Sequence, residues 1–237
     1  MKKTFLLSCL MLAAMPVMAA YTGRVYVDKN KNGVFDPGEK TWAGIKVSDG
    51  LNVVETAADG SFTLPGHERE RFIFITTPSG YKTFNRHYHK IEEKQSGYDF
   101  GLIPYSGRIR KDGSHRYIHI TDTEIFNTEN HADWVNNVHD YARNEQAAFI
   151  IHTGDICYEK GLKAHIKLMN TENMDCPVFY CIGNHDLVKG KYGEELFESI
   201  YGPVYYSFDA GNVHYIVTPM PGGDHAPGYT ADDVCRW

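Results

Sequence analysis

Beyond its first twenty residues this 237-residue chain has no apolar run of the roughly 18–20 residues that a membrane-spanning helix needs. An excess of positive charge is also missing: 24 Lys and Arg stand against 30 Asp and Glu, a formal net charge of −6. That balance argues against general affinity for nucleic acid or anionic lipid. Cysteine is sparse, five in all, and Cys9 lies in the N-terminal stretch. The other four, Cys157, Cys176, Cys181 and Cys235, have no zinc-knuckle spacing and are too few for a disulfide scaffold. On a strand, positions 176 and 181 would face opposite sides, so the reading is unpaired buried thiols. There is no internal repeat or low-complexity tract, and the first half lacks helical periodicity.

What is present begins with an export signal. Lys2 and Lys3 precede an almost wholly apolar run from Phe5 to Met18, and Val17-Met18-Ala19 offers a cleavage site. Residues 1–20 read as a secretory signal peptide, which places the mature chain in the periplasm or outside the cell. From 21 to 106 the sequence reads as short strands and turns: TGRVYVD, AGIKVSD, LNVVETA, GSFTLP, RFIFITT and YDFGLIP, punctuated by Asp49-Gly50 and Asp59-Gly60. This spacing predicts an antiparallel β-sandwich. It is similar to the transthyretin-like or Cna-B-like accessory modules of secreted proteins. After RKDGSH (110–115), taken as a linker, the pattern changes. RYIHIT, AAFIIHT and PVFYCI read as buried strands. They alternate with helices over 131–146, with Trp134, Val138 and Tyr141 on the apolar face, and over LKAHIKLMN and GEELFESI. Such alternation predicts an α/β unit with a parallel sheet over 115–237. VYYSFDAGNVHYIVT then reads as a hairpin turning at 210–212, and ADDVCRW as the start of a helix.

The stretch DKNKNGVFDPGE (28–39) fits the twelve-residue calcium-loop template. Asp28, Asn30, Asn32, Asp36 and Glu39 fall at the side-chain ligand positions, Val34 at the carbonyl position and Gly33 at the sharp turn. A strand precedes it, which is wrong for an EF-hand. A structural calcium ion and an ordinary polar turn both account for it.

The first three strands of the second unit each end in metal-capable side chains: Asp122 and Glu124, then Asp155, then Asn184, His185 and Asp186. In open α/β sheets, ligands collect beyond the carboxyl ends of the strands, so these groups are expected to meet. Gly154 and Gly183 stand just before two of the polar groups, where a sharp backbone turn is expected. Carboxylate and amide oxygens suit divalent ions such as Mn²⁺, Fe or Zn²⁺.

The series D-x-E, G-D, G-N-H-D resembles the calcineurin-like metallophosphoesterases, whose pattern is D-x-H, G-D, G-N-H-[D/E], a later histidine and G-H-x-H. The resemblance covers about 115–237, and the front module is similar to accessory domains of exported members. It implies a centre of two divalent ions (Mn, Fe or Zn), with Asp155 bridging them, Asp122 on one and Asn184 on the other. It also implies a metal-activated water as nucleophile and a phosphoester or phosphorylated small molecule as substrate. His185 would protonate the leaving group or steady the transition state, and Asp186 would orient His185.

The pattern departs from the family in two places. Glu124 replaces a histidine, and it either binds the ion as a harder ligand or points to solvent. No G-H-x-H follows, and only His214, inside a strand, and His225, in a loop, remain as later histidines. The reading is an incomplete, C-terminally truncated catalytic sandwich whose own activity is open. Two alternatives stand beside the phosphoesterase: a secreted binding module carrying an inert remnant, and a metal-dependent hydrolase of another ester.

Overall fold

The computed structural model describes residues 20–67, 69–95, 97–105, 108–219 and 229–237. The expected signal peptide lies outside them except for Ala20, and so does His225. No helix among the described residues is long and apolar enough to cross a membrane.

The first half forms eight strands in two four-stranded sheets. They are β1 (Ala20–Val27), β2 (Lys46–Ser48), β3 (Val53–Glu55), β4 (Ser61–Pro65), β5 (Phe72–Ile75), β6 (Tyr81–Thr83), β7 (Tyr88–Lys90) and β8 (Phe100–Pro104). One sheet runs β4-β1-β8-β6 and the other β3-β2-β5-β7. Pairing is antiparallel except between β1 and β8, which are parallel, a detail that strand spacing does not reveal. Two short strands, β6 and β7, also escaped the sequence reading. Strand β4 alternates as a half-buried strand should, with Phe62 and Leu64 inward. Strand β5 is buried throughout. Its Ile73 and Ile75 fill the core between the sheets, while Phe72 and Phe74 face the second half of the molecule. Burial of each such phenyl ring contributes about 1.5–3 kcal/mol.

The second half holds β9 (Tyr117–Ile120), α1 (His131–Asn144), β10 (Phe149–His152), α2 (Tyr158–Leu168), β11 (Val178–Tyr180), α3 (Glu194–Tyr201), the hairpin β12 (Tyr206–Ala210) and β13 (Val213–Val217), and α4 (Ala231–Arg236). Strands β11-β10-β9 form a parallel sheet with β10 central. The expectation of three buried strands is corrected at β9, an edge strand on which Tyr117 is 48% exposed. On α1, Val135 and Ala142 are buried, while Tyr141, expected on the apolar face, is 60% exposed.

The supposed linker is a tight turn. Ile109 bridges to His115, and Asn212 of the hairpin donates to the Asp112 carbonyl at 3.0 Å. The two halves share a third core in which Phe72, Phe74 and Tyr88 meet Phe149, Phe179, Tyr206 and Phe208. Arg71 lies 2.8 Å from Glu198, and Tyr205 donates to the Gly50 carbonyl at 2.7 Å, both across this seam. All four cysteines among the described residues are free. Cys157 and Cys176 are buried, as read, but Cys235 is exposed.

Candidate metal centre

Register places the site. In the parallel sheet, Ile120, His152 and Tyr180 are level. Asp122, Asp155 and the Asn184–Asp186 turn therefore all emerge from one end. The chain past β9 remains hydrogen-bonded to the chain past β10: Asp122 N–H to Gly154 O (3.1 Å), Glu124 N–H to Asp155 O (2.9 Å) and Ile125 N–H to Ile156 O (2.8 Å). This ladder forces unusual backbone. Nine non-glycine residues among those described have positive φ, and five line these strand ends: Asp122, Glu124, Asp155, Cys157 and Tyr158. Such residues are costly and concentrate at functional sites.

Both glycines before the polar groups are required, for different reasons. Gly154 has φ +98°, and a Cβ there would lie 2.4 Å from Gly183 N. Gly183 has φ −107°, ordinary extended backbone, so the turn that follows it at Asn184–Asp186 does not need glycine's conformational freedom. Its reason is space, since a Cβ would lie 2.2 Å from Asp155 Oδ1 and 2.3 Å from Asp155 N.

Ligand atoms of Glu124, Asp155 and His185 converge within 4.8 Å of one another. Asp155 Oδ1 accepts the His185 backbone N–H at 2.9 Å, which fixes the carboxylate. His185 Nδ1 lies 2.8 Å from Glu124 Oε1. The pair is close but not aligned for a hydrogen bond, so Nδ1 is a buried nitrogen without a hydrogen-bonding partner. An imidazole nitrogen without a hydrogen bond, beside two carboxylates, is the donor set that a divalent first-row cation takes.

The remaining expected residues fall around this cluster. The Asp122 carboxylate accepts from Thr121 Oγ1 at 2.5 Å and stands outside the converging group. Asn184 is exposed in the turn. Asp186 is fully buried, and its two oxygens accept Cys157 N–H (2.9 Å) and Gly183 N–H (3.0 Å). Its carboxylate thus ties two strand ends together through backbone instead of orienting the His185 ring. Burial raises its pKa, and the two amides pull the other way. Cys157 is pushed up to about 11 by burial and the neighbouring carboxylates, so it stays a thiol. His214 pairs with Asp209 at 2.7 Å on the hairpin, away from the cluster.

Sequence reading missed His152 and Thr123. His152 is fully buried, with its pKa pushed down to about 4 by desolvation, so it is neutral at neutral pH. Its Nδ1 accepts Gly154 N–H at 3.2 Å, which leaves Nε2–H to donate to Thr123 Oγ1 at 3.1 Å. Thr123 lies between Asp122 and Glu124, so the imidazole fixes their loop to β10. The available signal was a histidine ending an apolar strand three residues before Asp155.

The calcium-shaped loop closes on itself. Asp28 is buried, and its oxygens accept Asn32 N–H (3.2 Å) and Gly33 N–H (2.8 Å). Asp36 Oδ2 accepts from the Asn30 and Asn32 amides at 2.8 Å each. Glu39 accepts Lys29 N–H (2.8 Å) and Asp36 N–H (3.0 Å). Gly33 has φ +75°, the sharp turn expected of it.

A cavity of about 520 Å³ lies between the two halves, near the start of β11, and is lined by residues that include Lys82, Arg86, Asn170 and Phe179. None of the clustered residues lines it, and convergence of ligand atoms is the better guide to chemistry here.

Residues 115–232 match the family model for calcineurin-like phosphoesterase, and residues 29–104 match that for the N terminal of calcineurin-like phosphoesterase. No curated protein matches the chain.

Proposed function

The chain belongs to the calcineurin-like phosphoesterase family, and from that premise we propose that it hydrolyses phosphate esters with divalent cations held at Glu124, Asp155 and His185. The observation that carries the proposal is the convergence of these three groups around a buried imidazole nitrogen that makes no hydrogen bond and lies 2.8 Å from the Glu124 carboxylate. A bound cation supplies positive charge for the phosphoryl oxygens and an acidified water. The chain's own residues do the rest. Asp155 is held by the His185 N–H, Glu124 by the ladder to Asp155, and the strand ends by Asp186. Asp122 and Asn184 are the donors available for the second ion of the pair.

His185 has two roles open to it, ligand through Nδ1 or proton donor to the leaving oxygen. A His185→Asn variant separates them. Weakened Mn²⁺ binding marks a ligand. Intact binding with a loss confined to poor leaving groups marks a proton donor. At Asp28–Glu39 the loop's own hydrogen bonds already occupy the oxygens a calcium ion would take, which favours the polar-turn reading over a structural calcium. Export of the mature chain is supported by the apolar N-terminal run.

The test is Mn²⁺-dependent hydrolysis of p-nitrophenyl phosphate and bis(p-nitrophenyl) phosphate by the full chain. Turnover should vanish in Asp155→Asn. Equal rates in the two proteins would reject the enzyme reading in favour of a secreted binding module.

A further inference from the structure

Two exposed aromatic rings stand at the edge of the cluster, unused by anything above. Phe126 is 57% exposed and Tyr158 48% exposed, and their ring centroids are 5.3 Å apart with the planes inclined at 51°. The Tyr158 ring is also parallel to that of His185 within 8°, at 6.4 Å. The two rings thus neighbour His185, a member of the group that includes Glu124 and Asp155.

This exposure is built into the backbone. Ile125 and Ile156 are buried and joined by a 2.8 Å backbone hydrogen bond, and Cys157 is buried beside them. The residue after each buried anchor, Phe126 on one loop and Tyr158 on the other, is turned outward. Glu124 (φ 40°), Cys157 (φ 91°) and Tyr158 (φ 47°) all take left-handed conformations to achieve it. Strained backbone that presents hydrophobic rings to water beside a polar centre calls for a ligand with both characters.

We propose that Phe126 and Tyr158 form a stacking platform for the leaving group, so that the preferred substrates are phosphoesters whose leaving group carries a planar ring, aryl or nucleobase. This rests on the phosphoesterase reading and narrows it. In the reaction a water oxygen bonds to phosphorus and the ester P–O bond breaks. The ring-bearing group departs as its alcohol after taking up a proton. The polar cluster handles the phosphoryl group, and the inclined pair holds the ligand ring by the face of one side chain and the edge of the other, worth about tenfold in affinity.

The test uses pairs of ligands with matched alkoxide leaving groups, so that ring recognition is separated from leaving-group ability. Dissociation constants and kcat/KM are measured on the full chain with Mn²⁺ for AMP against ribose 5-phosphate, and for 2-phenylethyl against 2-cyclohexylethyl phosphate. The ring-bearing member should bind about tenfold more tightly. Phe126→Ala and Tyr158→Ala should each bring the ratio toward one, and Tyr158→Trp should retain it. Both side chains are exposed, so truncation removes little packing. Preference in the first pair alone assigns a nucleobase, and in the second alone an aryl group.

Equal affinities within both pairs would overturn the platform, as would a ratio that survives in both alanine variants. Absent ring preference together with a smaller oligomer in the variants would reassign the patch to self-association. Ring preference in binding without any metal-dependent turnover would reject the phosphoesterase reading and leave the platform standing.

Discussion

Two acidic loops in this molecule look alike in composition and differ in how their polar groups are satisfied. In the loop 28–39 each of the three carboxylates accepts hydrogen bonds from the same loop. At the strand ends the labour is divided. Asp186 and His152 bind backbone and neighbouring side chains, while Glu124, Asp155 and His185 converge and leave Nδ1 without a hydrogen-bonding partner. The lesson is that carboxylate count does not mark a cation site. A carboxylate whose oxygens are taken up by donors gains little from an ion, whereas a buried nitrogen left without a hydrogen bond gains much.

The strongest way to break the second arrangement is to separate its strands. Gly183→Ala places a methyl against Asp155 backbone, which has no room to yield. A stability loss of about 3 kcal/mol or more is expected in urea denaturation, with loss of Mn²⁺ binding. An alanine at Gly38, where a Cβ would meet nothing within 4 Å, should cost less and only through its φ of +92°.

Next comes His152→Phe, which removes the bonds to Gly154 and Thr123 at a cost of about 1–3 kcal/mol. The pH dependence carries a sign. The folded pKa of about 4 lies below the ordinary 6.5, so the folded state binds fewer protons between those values. Stability from a neutral His152 is full above pH 6.5 and declines as pH falls toward 4. Thermal melts of the Phe variant should lose that part of the acid sensitivity. Glu198 runs oppositely, its pKa raised to about 7 by burial, so its contribution is full at low pH and declines as pH rises through 7. Glu198→Gln should remove that decline.

A milder change, Glu124→Gln, keeps shape and removes a charge. It should weaken Mn²⁺ binding at least tenfold, about 1.4 kcal/mol, read by titration calorimetry. Unchanged affinity would mean that Glu124 faces solvent. The smallest effect is assigned to calcium. Because the loop 28–39 is self-satisfied, millimolar Ca²⁺ should stabilise the chain by less than about 0.5 kcal/mol. A larger rise in melting temperature, abolished by Asp36→Asn, would show that composition was the better guide after all.

Much of this was legible in one dimension. Strand–helix alternation located β9, β10 and β11, because strands and helices impose periods that apolar residues must follow. The hairpin turn at Gly211 and Asn212 followed from turn chemistry. Other features needed neighbours. RYIHIT reads as buried, yet Tyr117 and His119 are exposed while β11, also at a sheet edge, is buried, since burial depends on what packs over a strand. The uniform burial of FIFI marks a strand covered on both faces, but not which partner covers each. Gly183 is an ordinary extended residue whose necessity lies in Asp155, 28 positions earlier.

By itself the sequence determined the inventory: which side chains terminate the strands, and hence which donors could ever meet, because a parallel sheet delivers all its carboxyl ends to one edge. Only the tertiary structure decided which of those donors were already satisfied. A hydrogen bond depends on distances of tenths of an ångström between residues far apart in the chain, and spacing along the chain does not encode them.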